Sequence, residues 1–309
     1  MAFRSLNNAV VLLDKPVGRT SFDVIKDLRR YGNVKKIGHS GTLDKFASGL
    51  LVVCTGKFTK LTQYFLESDK RYTGTIQLGM ETDTCDITGE VVSKKDFSLI
   101  NEEKIIEAVS FLKETVLQVP PGYSALKIRG KRASDRIRNG EEVVLEPRSV
   151  KIFNFDITAA NLEQGILEFD ISCSKGTYIR SIARDLGKAL GTGACLAALR
   201  RVESGDFNVS NAISPDLIAE YMKGEIEPFF VVEPQVALKN FGRLLLDSNG
   251  AERVSNGAYF MRESVKKMEI NHCNKVLVLD EKENLIAIAE IDVDKWLISY
   301  DSVFNQGCN

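Results

Sequence analysis

One carboxylate is set apart by its surroundings. Asp44 lies in Gly38-His-Ser-Gly-Thr-Leu-Asp-Lys-Phe-Ala-Ser-Gly49, a stretch with three glycines and little hydrophobic periodicity. Glycines let a backbone approach a ligand closely, and a buried strand directly behind such a loop fixes the acid it carries. The chemistry open to Asp44 is therefore that of a carboxylate acting on a closely held ligand. Read alone, it is by default a turn-capping aspartate. The basic run Lys127, Arg129, Lys131, Arg132, Arg136 and Arg138 faces a single acid, Asp135. Such a surface draws a polyanion, or is simply a solvated face.

Other chemistries lack their residues. Only two histidines occur, His39 and His272, 233 positions apart, and the six cysteines contain no C-x-x-C pair. Imidazole or thiolate metal sites are not expected, and an Asp/His metal hydrolase built on His39 and Asp44 lacks a third ligand. Lys57 follows Gly56, but Gly49 is seven positions before Gly56 where a phosphate loop needs five. No G-x-G-x-x-G, H-E-x-x-H or G-x-S-x-G is present. No cofactor is expected. Scattered thiols in a chain of this size read as reduced and cytoplasmic, with no signal or transit peptide.

The elements that would position Asp44 follow from hydrophobic spacing. Residues 8–13 read as a buried strand closed by the Lys15-Pro16-Val17-Gly18 turn, and Thr20 and Ser21 as caps of a helix through Tyr31. Residues 37–49 read as loop, 50–54 as strand, 57–65 as helix and 72–78 as strand. Asn101 caps a helix with Ile105, Ala108, Val109 and Leu112 on one face. Pro120-Pro121-Gly122 breaks the chain before the basic run, and strands are expected across 142–173. A helix then opens at Gly176-Thr177, with Ile179, Ile182, Leu186 and Leu190 as its stripe and Gly191 as C-cap. Arg180 lies off that stripe, free to face a cleft. Strands and helices without a regular βαβ alternation predict an α+β fold with a mainly antiparallel sheet. From about residue 233 the texture turns to short alternating strands, including a strand near 258–260 and a pair across 275–290, so a small β domain is expected at 233–309.

With 309 residues, 44% hydrophobic and 27% charged, the chain has material for a sizeable core and about two domains. No apolar run approaches the roughly 20 residues of a membrane span. The net charge of −1 hides an asymmetry. Residues 1–75 carry 13 basic against 6 acidic side chains, 76–125 carry 4 against 9, 126–201 carry 14 against 9, and 202–309 carry 10 against 18.

Four stretches together resemble a known family. Gly38–Gly49 is similar to the G-H-[ST]-G-[TA]-L-D-P-x-A-[ST]-G signature of the TruB family of tRNA pseudouridine synthases, with Lys45 where proline is usual. Leu12-Leu-Asp-Lys-Pro-Val-Gly18 resembles its L-D-K-P-x-G, Pro120-Pro-Gly-Tyr-Ser-Ala-Leu-Lys127 its P-P-x-Y-S-A-x-K, and Cys173–Ile182 its C-S-x-G-T-Y-I-R-[ST]-[IL]. The resemblance is strong over residues ~9–230 and weaker in the tail.

The resemblance implies a pseudouridine-synthase catalytic domain at 1–232, carrying a basic RNA-binding insertion at about 120–145, and a PUA-like β domain at 233–309. It implies isomerisation of uridine in tRNA, at uridine 55 of the TΨC loop. There the base is flipped out, the N1–C1′ bond breaks, and a C5–C1′ bond forms without cofactor or metal. Asp44 then matches the catalytic aspartate, and Arg180 the arginine that pairs with it and is expected to lower its pKa. Tyr72 matches the tyrosine that stacks on the flipped uracil, and Tyr178 the second active-site tyrosine. Leu199 matches an apolar pocket wall, and His39 the residue that takes up the space vacated within the RNA loop. Lys15, Lys45, Tyr123, Lys127, Arg129, Lys131 and Arg132 are the remaining expected RNA contacts. The expected partner is the tRNA T arm, with no membrane, no obligate protein partner and a monomeric chain. A non-catalytic tRNA-folding protein of the same fold and a guide-RNA-dependent relative are the alternatives.

Overall fold

The computed structural model describes residues 5–114, 117–124, 126–128, 130–271 and 274–304, with Lys127 and Arg132 described by their main chain alone. The strands of the main sheet begin with β1 (Val10–Lys15), β2 (Ile37–His39), β3 (Ser48–Thr55) and β4 (Lys70–Leu78). They continue with β5 (Ile152–Asn161), β6 (Ile166–Cys173), β7 (Ala194–Ser204) and β8 (Val231–Val232). Their order is β5-β6-β4-β7-β3-β1-β8, with β2 added beside β3. Every pairing named here is antiparallel except β7 with β3, where Arg200 and Arg201 face Ser48 and Gly49.

That parallel seam brings two backbones unusually close. A Cβ on Gly49 would lie 2.3 Å from the Arg201 carbonyl oxygen, and Gly49 itself has φ +104°. Both facts require glycine at the end of the acidic loop.

Helices cover the sheet where the hydrophobic spacing predicts. In α1 (Ser21–Tyr31), Thr20 and Asp23 form a reciprocal capping box, and Val24, Ile25 and Leu28 are buried. Val24 and Leu28 pack with Val11, Leu13, Leu51 and Val53 on one face of β1 and β3. Next, α2 (Glu102–Glu114) buries Ile105, Ala108, Val109 and Leu112. It shares a core with Ile179, Ile182 and Leu186 of α3 (Ile179–Leu190) and with Ile76, Phe155 and Phe169 of the sheet. Gly191 ends α3 in the left-handed conformation, φ +76°.

The opposite face of β1 and β3 presents Val10, Leu12, Leu50, Val52 and Cys54 to Leu277, Leu279, Leu285, Ile288 and Phe304. Of the latter, all but Phe304, which directly follows the last strand, belong to a five-stranded sheet built from Gly242–Leu246, Val265–Glu269, Lys275–Leu279, Leu285–Asp292 and Leu297–Val303. One apolar cluster thus joins the two sheets. The Phe58 and Phe304 rings meet edge to face across the seam at 5.6 Å.

Several expected elements differ. Ile37–His39, expected as loop, pairs with β3, so the loop proper is shorter. The helix expected over 57–65 is a 3-10 turn at Gly56–Leu61 followed by α-helix at Thr62–Leu66. No ladder runs over 142–147, and regular pairing resumes with the short strand Arg148–Ser149. The strand expected near 258–260 is absent. The preceding chain forms a helix, Ser248–Ser255, because Asp247 caps it by accepting from Gly250 N–H at 2.7 Å.

Candidate active site

Asp44 stands on the loop between β2 and β3. The loop is pinned from behind by Ser21, whose hydroxyl accepts from Leu43 N–H at 2.9 Å and donates to Leu43 C=O at 3.2 Å. Gly18 N–H donates to Lys45 C=O at 2.8 Å, which ties the 15–18 turn to the same loop. The carboxylate itself remains 42% exposed.

Arg180, in the first turn of α3, grips Asp44 with both edges of its fork. Nε lies 2.9 Å from Oδ2, and Nη2 lies 3.4 Å from Oδ1. The guanidinium is only 7% exposed, and its other donors are also held. They reach Thr84 C=O at 3.1 Å, Tyr123 C=O at 3.0 Å and the buried Asp86 carboxylate at 3.5 Å. Asp86 is fixed in turn by the Thr84 and Thr88 hydroxyls and Thr88 N–H. A buried guanidinium is thereby neutralised by two carboxylates, one closed off and one facing a cavity.

That cavity holds about 360 Å³ and is lined by Asp44, Tyr72, Tyr123, Tyr178, Arg180 and Leu199, together with Ser40, Lys70 and Arg201 among others. Tyr72, 9% exposed, rises from β4, and Leu199 from the adjacent β7. Burial pushes the Tyr72 hydroxyl pKa up, against the pull of the neighbouring Arg201 guanidinium. Arg201 is buried and donates to Leu50 C=O at 2.7 Å and Gly41 C=O at 3.2 Å. It braces the seam beneath the pocket.

Arg180 acts on Asp44 in the expected direction, but the net shift is the reverse of the lowered pKa expected. Arg180 does favour the carboxylate, but burial outweighs it, and Asp86 adds repulsion, so the Asp44 pKa is raised. The site holds its acid under electrostatic tension.

The structure brings together Asp44, Tyr72, Tyr123, Tyr178, Arg180 and Leu199 at one cavity. The remaining expected contacts stand elsewhere. Lys15 does not offer its charge to the surface: it is wholly buried and donates to Pro16 C=O at 2.9 Å and Arg19 C=O at 2.6 Å. Burial pushes its pKa down to about 8. His39 is half-buried outside the cavity lining, and burial lowers its pKa as well. Lys45 is exposed beside Asp44, and Lys131 is exposed in the basic segment. In that segment Lys127–Ile128 pairs with Lys131–Arg132, and a short helix follows at Ala133–Arg138. Arg129 and the side chains of Lys127 and Arg132 lie outside the described residues.

Residue-by-residue reading missed Asp86, Lys70, Arg201 and Gln118. Lys70 reaches the carbonyls of Phe65 at 3.2 Å, Leu66 at 3.0 Å and Ser68, and burial lowers its pKa to about 8. Gln118 is buried and clamps the main chain of Tyr178 from both sides. Its Oε1 accepts from Tyr178 N–H at 2.8 Å and its Nε2 donates to Tyr178 C=O at 3.2 Å. Tyr178 is the residue that opens α3, and no side chain of its own caps that helix. The one signal available was position: Gln118 comes two residues before the Pro120-Pro121 break, and Arg201 two after Leu199.

Comparison with known proteins places the chain among relatives. The model of the TruB family pseudouridylate synthase N-terminal domain matches residues 29–179, and that of the tRNA pseudouridylate synthase B C-terminal domain matches 180–227. tRNA pseudouridine synthase B of Clostridioides difficile (strain 630) is 34% identical over 96% of this chain and 98% of its own length. Its namesake in Borreliella burgdorferi (strain ZS7) is 35% identical over 92% of this chain and 95% of its own. Among solved structures, a chain of a Cbf5-Nop10-Gar1 complex superposes with a TM-score of 0.69. It covers 98% of this chain and 85% of that one at 24% identity, a likeness of fold. Sequence likeness sustained across both family models and nearly the whole length of complete relatives makes this chain a member of the TruB family of pseudouridylate synthases.

Proposed function

We propose that this enzyme isomerises uridine to pseudouridine in tRNA, at uridine 55 of the TΨC loop, and that it does so as a monomer without an obligate protein partner. The observation that carries the reading is the Asp44 carboxylate, gripped by a buried Arg180 and facing a cavity walled by Tyr72, Tyr123, Tyr178 and Leu199. The tRNA substrate is supported by the names of the full-length relatives.

In this reading the target base leaves the RNA stack and enters the cavity. Flipping costs a few kcal/mol. Stacking on Tyr72 returns roughly 1–3 kcal/mol, so phosphate contacts contribute the remainder. Asp44 acts at the reacting nucleoside while Arg180 orients it. The N1–C1′ bond breaks, the uracil turns within the pocket, and C5 bonds to C1′. The C5 proton is then lost and N1 gains one, so the balance closes without an external reactant. Tyr178, which lines the same cavity, attends that proton or holds Asp44. Leu199 excludes water from one wall. Lys45 and the basic segment around Lys127, Arg129, Lys131 and Arg132 bind the T arm by shape and charge.

The test is tritium release from a tRNA transcript carrying [5-³H]uridine, with binding followed in parallel. Wild type is expected to release tritium, and Asp44→Asn to bind without release. Binding with no release by either protein would replace this reading with that of a tRNA-folding protein.

A further inference from the structure

We infer that the exposed face of α1 and the lysines following it form a second RNA-binding strip, which holds ribose-phosphate backbone away from the base pocket. The inference rests on the proposed RNA substrate.

Residues 1–75 carry six acids, and four of them are engaged away from that face or inside the fold. Asp14 pairs with Arg200 at 2.7 Å, Asp27 with Arg19, Asp44 with Arg180 and Glu67 with Lys175. Asp23 closes the capping box, accepting from Thr20 N–H at 3.0 Å, and comes only within 3.9 Å of Lys26. The cations are left over. Among the described residues, Arg29, Arg30, Lys35 and Lys36 make no ion pair, and all four are exposed.

Position turns this excess into a track. The helix starts at the catalytic loop, through the Ser21 contacts to Leu43, and its 11 residues carry it about 16 Å away. Phe22, Lys26, Arg29 and Arg30 recur every three or four residues on its solvent side, opposite Val24, Ile25 and Leu28. The Lys26 ammonium sits 4.7 Å over the exposed Phe22 ring, and the Arg30 guanidinium 5.2 Å from the Tyr31 ring. The charge then continues through Lys35 to Lys36, which shares a cleft of about 660 Å³ with Lys57 and Lys60. A row of exposed cations leading away from a base pocket, with Arg29, Arg30, Lys35 and Lys36 free of ion pairs among the described residues, matches a polyanion whose phosphates extend from the flipped nucleotide. A small anion would need one convergent site instead.

The test uses the full chain with two RNAs, a complete tRNA transcript and an isolated T-arm stem-loop, with binding titrated over a range of salt. Lys26→Glu/Arg29→Glu/Arg30→Glu is expected to raise Kd for the complete transcript about tenfold or more. It should also flatten the salt dependence by about two to three contacts, each phosphate contact contributing a slope of about one. Lys35→Glu/Lys36→Glu should act in the same direction from the far end of the strip, and it stands in if the triple variant fails to fold. A loss confined to the complete transcript would place the strip on RNA beyond the T arm, and a loss with both would place it on the T stem. Kd and salt slope unchanged with both RNAs overturn the inference. So does an equal loss in Lys266→Glu/Lys267→Glu on the second sheet, because net charge rather than position would then set affinity. Tritium release by the wild type is measured separately, so failure of the proposed reaction is distinguishable from failure of the strip.

Discussion

Asp44 is pulled three ways: burial and the Asp86 charge oppose its ionisation, and Arg180 favours it. Because burial prevails, the folded chain holds the Asp44 proton more tightly than an unfolded chain does. Two outcomes follow. A reaction that needs the carboxylate should lose rate on acidification at a pH above the ordinary range for aspartate, and a pH profile of kcat under single-turnover conditions reads this directly. An acid limb at or below the model-peptide value near pH 4 would contradict it. The same raised pKa means that stability falls as pH rises from the unfolded to the folded value, and that the full penalty applies above the folded value. Asp44→Asn should therefore melt at a higher temperature than wild type while losing turnover, since Asp86 still neutralises Arg180. A lower melting temperature would mean that the pairing outweighs the burial.

At the scale of elements, two contacts hold the site together. Gln118 fixes the peptide groups on either side of Tyr178, and Val119 C=O accepts from Ser181 Oγ and Arg184 Nη2, each at 2.9 Å. The segment leading into the basic insertion is thus bonded to the first turns of α3. Gln118→Ala leaves a buried N–H unsatisfied, a loss of about 1–3 kcal/mol. We expect kcat to fall about tenfold or more with KM for tRNA little changed. A change in KM alone would assign Gln118 to RNA binding. The second contact is the parallel seam of β3 with β7. Gly49→Ala there must strain a φ of +104° and press against Arg201 C=O. It should cost at least ~1–3 kcal/mol by chemical denaturation, and stability equal to wild type would show that the seam can open. Elements such as α1 and α3 were legible from their caps and apolar spacing. The 248–255 helix was not, because its apolar signal is weak and its Asp247 cap lay in a region expected to form a small β domain.

At the scale of the whole molecule, one buried cluster spans both sheets. Leu277 and Leu279 of the second sheet meet Leu12 and Val52 of the first. We expect a single cooperative thermal transition. Leu277→Ala, at a fully buried position, should lower it by an amount equivalent to about 2–5 kcal/mol. Two transitions, only one of them moved by the substitution, would show that 1–232 and 233–309 fold separately.

The sequence by itself determined the acidic loop, the helices with strong stripes, the basic blocks and the family likeness, because each is a local pattern of residue type and spacing. Tertiary structure alone decided what that loop meets. Arg180 reaches Asp44 across 136 positions of chain. Asp86 shares the same guanidinium, and Gln118 braces Tyr178 across 60 positions. Lys15, expected as an RNA contact in its turn, is folded inward onto carbonyl groups. Those outcomes depend on strand order and on the parallel seam between β3 and β7. Sheet order is set by which apolar faces bury together across the chain, and no local period records it.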